Sequence, residues 1–367
     1  MIKKNSIFVI SIFILLILTL SGCLDFIVLD DGSITYESHA TKVSYNMNYG
    51  YHINCSGLGV WEIKYYCDLP ELILGDLSHS LIFDSNYSEL TIADNEIISW
   101  IINGSDDCNH RLGISAIVFE AESYLIPDIS GNEALDLQEI RIVYPTIFNQ
   151  YTKMQTVDDV NYIDPYDPNI VSIAQNVFNN AKSNNSLIIA KELFIWLKEN
   201  TDYETHRSDS SVQTASTTCG LKTGDCDDLS YLYISLCRSI GIPARFIRGI
   251  LAEEENGVVA VVGHAWVEVF VGGNIGNNGW IPIECACPSK NMDIQVNQNF
   301  GLETAGHLRL FVDDGSNESM NASISGPRVY YDTNLDVDMT QFIEVEDYAI
   351  LESKELFIDK DGLRSYK

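Results

Sequence analysis

Basic residues are scarce in this chain. Its 367 residues carry 22 Lys and Arg against 52 Asp and Glu, a formal net charge of −30. A surface of that sign repels nucleic-acid phosphates, so DNA and RNA are excluded as partners. The acidity suits a chain kept soluble in an exposed or salty setting. It is not a calcium signature, because no EF-hand loop of the D-x-[DN]-x-[DN]-G type is present. Histidines are few, and His39, His52 and His110 are scattered through the first half, so no metal site is expected there. The apolar run at residues 7–20 is short for a bilayer span of about 20 residues. Apolar side chains as a class are plentiful: at 46% of the chain they can build a sizeable core. The length suits about two domains.

Residues 1–23 read as an address. Lys3 and Lys4 precede the apolar run, which ends in Leu20-Ser21-Gly22-Cys23. This resembles a prokaryotic lipoprotein signal, and the resemblance implies cleavage that leaves Cys23 as a lipid-bearing first residue. An uncleaved anchor helix is the alternative. Either reading puts the remainder at the outer face of the cell membrane. Asn-x-Ser sequons at Asn54, Asn86, Asn103, Asn184, Asn317 and Asn321 agree with an exterior location. There are nine cysteines, and outside the cytoplasm some are expected to pair. Connectivity cannot be read from spacing; Cys55 and Cys67 are candidates to bridge within the N-terminal region.

Residues 24–157 alternate short β-branched and aromatic runs with Gly, Asn, Asp and Ser. Runs at 33–36, 41–45, 61–66, 90–92, 97–102, 114–119 and 140–144 predict strands, and together an all-β, sandwich-like domain. Nothing in it is arranged for chemistry, so a spacer or recognition role is expected. The polar stretch 155–169, with Asp164-Pro165-Tyr166-Asp167-Pro168, predicts a linker or helix lead-in. Residues 158–330 form the second expected domain and 331–367 a C-terminal extension.

The second domain carries the chemistry. Apolar spacing predicts helices over 170–182 and 186–200, followed by Tyr203. Asp225 is a good N-cap, which sets Cys226 at the first position of a helix whose stripe is Leu229, Leu232, Leu236 and Ile240, stopped by Gly241. Unpaired N–H groups and the positive dipole end favour a thiolate there and can hold an oxyanion. Asp225, Asp227 and Asp228 oppose the thiolate, so the sulphur needs an imidazolium partner. Strands are expected over 245–251, 258–271 and 280–285. His264 lies in the second, and its antiparallel neighbour can set Glu284 beside the ring, where a carboxylate fixes the tautomer and steadies the imidazolium. Arg245 and Glu268 read as structural ion-pair residues, Cys237 as core, Cys219 as structural or a resting-state partner of Cys226, and His307 as a further site candidate. Cys285 and Cys287 form a C-x-C pair without a second pair, so packing or a disulfide is favoured over metal.

Gly224-Asp225-Cys226-Asp227-Asp228, Gly241-Ile242-Pro243-Ala244-Arg245, Gly263-His264-Ala265-Trp266 and Trp280-Ile281-Pro282-Ile283-Glu284 together resemble the transglutaminase-like superfamily, over about residues 170–312. The resemblance implies an α+β, papain-like core in which the cysteine helix packs on an antiparallel sheet. It implies a triad in chain order, with Cys226 as nucleophile, His264 as base and Glu284 where the family more often has Asp. Papain's own signature around its cysteine is absent. The implied activity is acyl transfer or hydrolysis at peptide or amide bonds, with no cofactor; for an exterior, tethered enzyme, peptide, protein or cell-envelope substrates are expected. The alternatives are a non-catalytic surface-binding lipoprotein that keeps the fold as scaffold, or a metal-binding lipoprotein using Cys285, Cys287 and a histidine.

Overall fold

The computed structural model describes residues 26–28, 32–205, 212–255, 257–324 and 326–367. The lipoprotein-type signal and Cys23 lie outside them.

Three helices centre the second half of the chain. Pro168–Ala181 starts where the Asp167 side chain accepts from Asn169 and Ile170 N–H, with proline at the first helical position. Ser186–Asn200 is capped by Asn185 in the same way. Both pack on Cys226–Ser239, in which every residue from Asp228 to Arg238 is buried. The expected single stripe is therefore too narrow: a helix covered on all sides is the middle of a core, not a surface element. Ile240 caps it and Gly241 turns the chain away at φ +89°, a value that favours glycine.

Behind this helix lies an antiparallel sheet in the order Trp280–Ile283, Val258–Phe270, Ala244–Glu255, His307–Val312. Ala265, Val267 and Val269 alternate along the second strand and face the helices in one hydrophobic cluster. The architecture is mixed α+β, with helices laid on a sheet.

Two further antiparallel sheets form most of the remainder. One is built on Ile34–Gly57, a 24-residue strand that spans two of the short runs expected from sequence. Cys108–Glu122 flanks it on one side and Leu335–Ile358 on the other. The second sheet orders Arg328–Tyr331, Val60–Asp68, Asn95–Ser105 and Tyr87–Ile92. Tyr45, Met47 and Ile114 of the first sheet share a buried cluster with Ile63 and Trp100 of the second. Residues 331–367, expected as an extension, supply a strand that pairs with Ile34–Gly57 along almost its whole length. Ile250, Ala252 and Leu308 of the helix-backed sheet join the same cluster, so the two halves of the molecule share apolar core.

Three local expectations are corrected. Residues 140–144 are not a strand: Leu137–Val143 is a helix, opened by a capping box in which Asp136 and Glu139 satisfy each other's backbone N–H. Asp136 and Glu139, three residues apart just ahead of the β-branched run, are the local signal for that helix. The stretch 155–169 is not a plain linker. Gln155–Val157 and Val160–Ile163 form a hairpin across Asp158-Asp159, both at positive φ, and Ile163 is fully buried. Finally, Cys55 is bonded to Cys108, not to Cys67. Cys55 and Cys108 face each other across adjacent strands of one sheet, whereas Cys67 lies in the other sheet and is a buried thiol.

Candidate active site

Cys226 stands at the first position of its helix, as its N-cap predicts. The Asp225 side chain accepts from the N–H of Asp228, and the Asp228 carboxylate accepts from the N–H of Asp225. The N–H groups of Cys226 and Asp227 have no acceptor within the helix. A parallel bridge between Asp202–Tyr203 and Thr223–Gly224 fixes the approach to the helix. The residue is half-buried. Burial pushes its pKa well above the ordinary thiol value, and the charges of Asp227, Asp225 and Glu284 push the same way, while the backbone N–H of Ala265 pulls it down. Asp227 has its own pKa pushed up to about 7, by burial first and then by Asp225 and Asp228.

His264 is buried in the strand Val258–Phe270, and its Nε2 lies 2.6 Å from Oε2 of Glu284. The carboxylate can only accept, so Nε2 carries the hydrogen and Nδ1 is left for a second partner. Burial opposes the imidazolium, but the charge and hydrogen bond of Glu284 outweigh it, and the His264 pKa rises. Burial likewise opposes the Glu284 carboxylate, and His264 and His307 hold it well below the carboxylate range. Glu284 is anchored on every side. Its backbone N–H donates to Asn299 O at 2.8 Å, its Oε1 accepts from the Ala286 N–H at 2.6 Å, and Nε2 of His307 lies 3.5 Å from its Oε2.

A buried ionic network backs this pair. Glu268 is fully buried between Arg245 and Arg309, with contacts of 2.5 and 2.6 Å. Arg309 also binds Glu303, which accepts from the indole N–H of Trp266 at 2.9 Å. The indole stands edge-on to the ring of His307 at 4.7 Å between centroids and 5.9 Å from that of His264. Arg245 and Glu268 are thus the ion pair expected from sequence. Glu303, Arg309 and Trp266 extend it to the two histidines.

The profile of the transglutaminase-like superfamily matches residues 171–285, which contain Cys226, His264 and Glu284. A crystal structure of a presumed cysteine protease from Cytophaga hutchinsonii superposes over 91% of this chain and 100% of its own, with a TM-score of 0.52 at 15% identity. Over residues 171–285 the fold is transglutaminase-like. The uncharacterised protein ML0607 of Mycobacterium leprae is 25% identical over 165 residues, 43% of this chain and 54% of its own. The chain thus spans about half the length of that curated relative. The periplasmic domain of TgpA from Pseudomonas aeruginosa gives a TM-score of 0.33 at 12% identity, over 68% of this chain and 92% of its own.

The transglutaminase-like core does not line its cleft alone. A cavity of about 580 Å³ takes Cys226, Asp227, His264 and Arg248 from the core. From the β-sheet half it takes Tyr51, Tyr65, Tyr66 and Tyr330. Arg248 is ion-paired to Asp68 across the two halves. These tyrosines were invisible as site residues in the sequence, because no local spacing ties them to a cysteine more than 100 positions away in the chain.

Of the other cysteines, Cys67, a buried thiol, also lines the cavity. Cys237 and Cys285 are buried thiols, and Cys219 is a buried thiol not bonded to Cys226. The C-x-C segment is used through its backbone: Lys198 Nζ donates to the carbonyls of Cys285 and Cys287 at 2.9 and 2.5 Å. Among the described residues no helix is long and apolar enough to cross a membrane.

Proposed function

We propose that this chain is a thiol acyl-transfer enzyme in which Cys226 is the nucleophile, His264 the general base and Glu284 the carboxylate that holds the ring. The observation that carries this reading is the 2.6 Å contact between His264 and Glu284 beside a cavity that also receives the helix-start cysteine. The C. hutchinsonii protein's assignment as a cysteine protease supports the same class.

This reading implies the following steps. His264 Nδ1 takes the thiol proton and becomes an imidazolium, which Glu284 stabilises through Nε2. The sulphur attacks the carbonyl carbon of a peptide or carboxamide. The N–H groups of Cys226 and Asp227, at the helix start, would donate to the oxyanion. The attack forms the C–S bond; collapse re-forms the carbonyl and breaks the C–N bond, leaving a thioester, with the imidazolium proton departing on the amine. Water or a second amine then attacks the thioester, giving hydrolysis or amine transfer. The raised His264 pKa supports the ion pair; the crowding of Cys226 by Asp225 and Asp227 makes that pair necessary.

The β-sheet half is then a sandwich-like recognition domain, roughly residues 24–157 completed by 331–367, that walls the cleft of a catalytic domain at 158–330. Residues 1–23 deliver the enzyme to the outer face of the membrane, tethered through Cys23 or through an uncleaved anchor. Cell-envelope peptides or proteins are the substrates in reach. Incubation with a peptide library, followed by mass analysis, tests the activity. Wild type yields cleaved or amine-adduct products and Cys226→Ala yields none; equal product from both overturns the reading.

A second reading has one observation in its favour. The thiol pKa pushed well up by burial and carboxylates is that of an inert cysteine, as in a binding protein that keeps the fold as scaffold. Alkylation of Cys226 at the rate of an ordinary thiol at neutral pH supports it, and faster alkylation excludes it.

A further inference from the structure

Three donor atoms converge behind the cleft: Nε2 of His264, Oε2 of Glu284 and Nε2 of His307. The carboxylate oxygen lies 2.6 Å from the first nitrogen and 3.5 Å from the second, and all three atoms fall within 4.8 Å of one another. All three side chains are largely shielded from solvent.

We propose that this His–Glu–His cluster is a transition-metal site, suited to Zn²⁺, whose occupation silences the cleft. The ligand set decides the metal. Two imidazoles and one carboxylate suit zinc and its first-row neighbours, whereas Ca²⁺ and Mg²⁺ demand oxygen donors. Zinc holds such ligands at about 2.0–2.2 Å, so tetrahedral neighbours stand about 3.3 Å apart. One pair is already near that separation, and the other contacts need shifts on the order of 1 Å. Three protein ligands leave the fourth position for water or another donor.

The surroundings supply the outer support that metal-bound histidines use. Nδ1 of His307 lies 2.9 Å from Thr304 Oγ1, and that hydroxyl lies 3.3 Å from Glu253 Oε1. With metal on Nε2, His307 donates from Nδ1 to Thr304, and Thr304 donates onward to Glu253. Glu284 is held by the Ala286 N–H through the oxygen the metal does not need.

Silencing follows from proton bookkeeping on His264, and this half of the inference rests on its proposed role as base. A neutral imidazole with metal on Nε2 keeps its one hydrogen on Nδ1. The Nε2 hydrogen gives way to the metal: an imidazolium releases that proton to solvent, and a neutral ring takes one up on Nδ1 in exchange. Nδ1 then cannot accept the thiol proton.

Binding is measured on the metal-stripped Cys226→Ala protein, so that the thiol is no ligand and catalysis is irrelevant. Calorimetry with Zn²⁺ and visible spectra with Co²⁺ should show one equivalent bound. Thr304→Val should weaken binding about 10- to 100-fold, and His307→Gln should abolish it. Folding of each variant is checked by circular dichroism, and the milder Thr304→Val keeps the test open should His307→Gln misfold. Binding unchanged in the variants, or only weak multiple sites on the acidic surface, overturns the metal site. In the wild type, Zn²⁺ should slow alkylation of Cys226 by iodoacetamide and a chelator should restore it. Tight binding with unchanged alkylation overturns the silencing.

Discussion

Oε2 of Glu284 sits 2.6 Å from Nε2 of His264, and the two groups are shifted in opposite directions: the histidine pKa up, the carboxylate pKa down. Each therefore favours the charged form of the other. The Ala286 N–H and His307 pin the far end of the Glu284 side chain. Glu284→Gln keeps the shape but removes the charge. It should cut turnover about 100-fold or more, the range of a lost acid–base partner, with a smaller loss in Glu284→Asp. Steady-state kinetics on any peptide substrate found for the wild type checks both.

The same pair has a pH signature in stability. A histidine with a raised pKa stabilises the fold below its unfolded value of 6.5 and loses that contribution as pH rises through the folded value. A carboxylate with a lowered pKa contributes above its unfolded value of 4.5 and loses it on acidification. The ion pair is one interaction, counted once. The melting-temperature gap between wild type and Glu284→Gln should be widest between about pH 4.5 and 6.5 and should narrow on either side. A gap independent of pH contradicts the charged pair.

Asp227 behaves in the opposite sense. Its pKa is pushed up to about 7 from 3.8, so the native state holds a proton there that the unfolded chain has lost. Between those values stability falls as pH rises. Asp227→Asn should remove that slope. It should also take one of the opposing charges from beside the sulphur and so raise the alkylation rate of Cys226 near neutral pH. Thermal melts and alkylation rates across pH 4–8 check the two effects separately.

The ionic network behind Trp266 is a structural commitment. Glu268 has its carboxylate held down to about 2 by two arginines despite burial. Glu268→Gln leaves those arginines with an uncompensated buried charge and should cost about 3–5 kcal/mol, read by denaturant unfolding. Its contribution is present above pH 4.5 and is lost as pH falls toward 2.

The cleft owes much of its wall to tyrosines of the β-sheet half. Tyr66 and Tyr330 are 47% and 53% exposed while lining the cavity, so trimming them disturbs little packing. Tyr66→Ala and Tyr330→Ala should raise KM several-fold while changing stability by about 0.5 kcal/mol or less. Equal KM in wild type and both variants contradicts a recognition role for this half.

Legibility in the sequence followed the range of the physical signals. The N-cap Asp225 and stop Gly241 are local, so the cysteine helix could be read within a residue or two. The segment 186–200 likewise returned as Ser186–Asn200. His264 beside Glu284 needed only a neighbouring antiparallel strand. What failed was long-range. Cys108 as partner of Cys55 depends on strand order within a sheet, and the return of Leu335–Ile358 to Ile34–Gly57 joins opposite ends of the chain. Glu303 and Arg309 carry no motif, and only the fold brings them to Trp266. His307 was visible as a histidine near the end of the resemblance, but its distance to Glu284 was not.

The central claim is that Cys226 is activated by His264. It is tested most directly by the pH dependence of Cys226 alkylation, read by mass spectrometry in wild type and His264→Ala. An activated pair predicts rapid labelling that persists well below the ordinary thiol pKa of about 8.5 and a fall of about 100-fold or more at neutral pH without the imidazole. Identical profiles for the two proteins, both following an ordinary or raised thiol pKa, would contradict it.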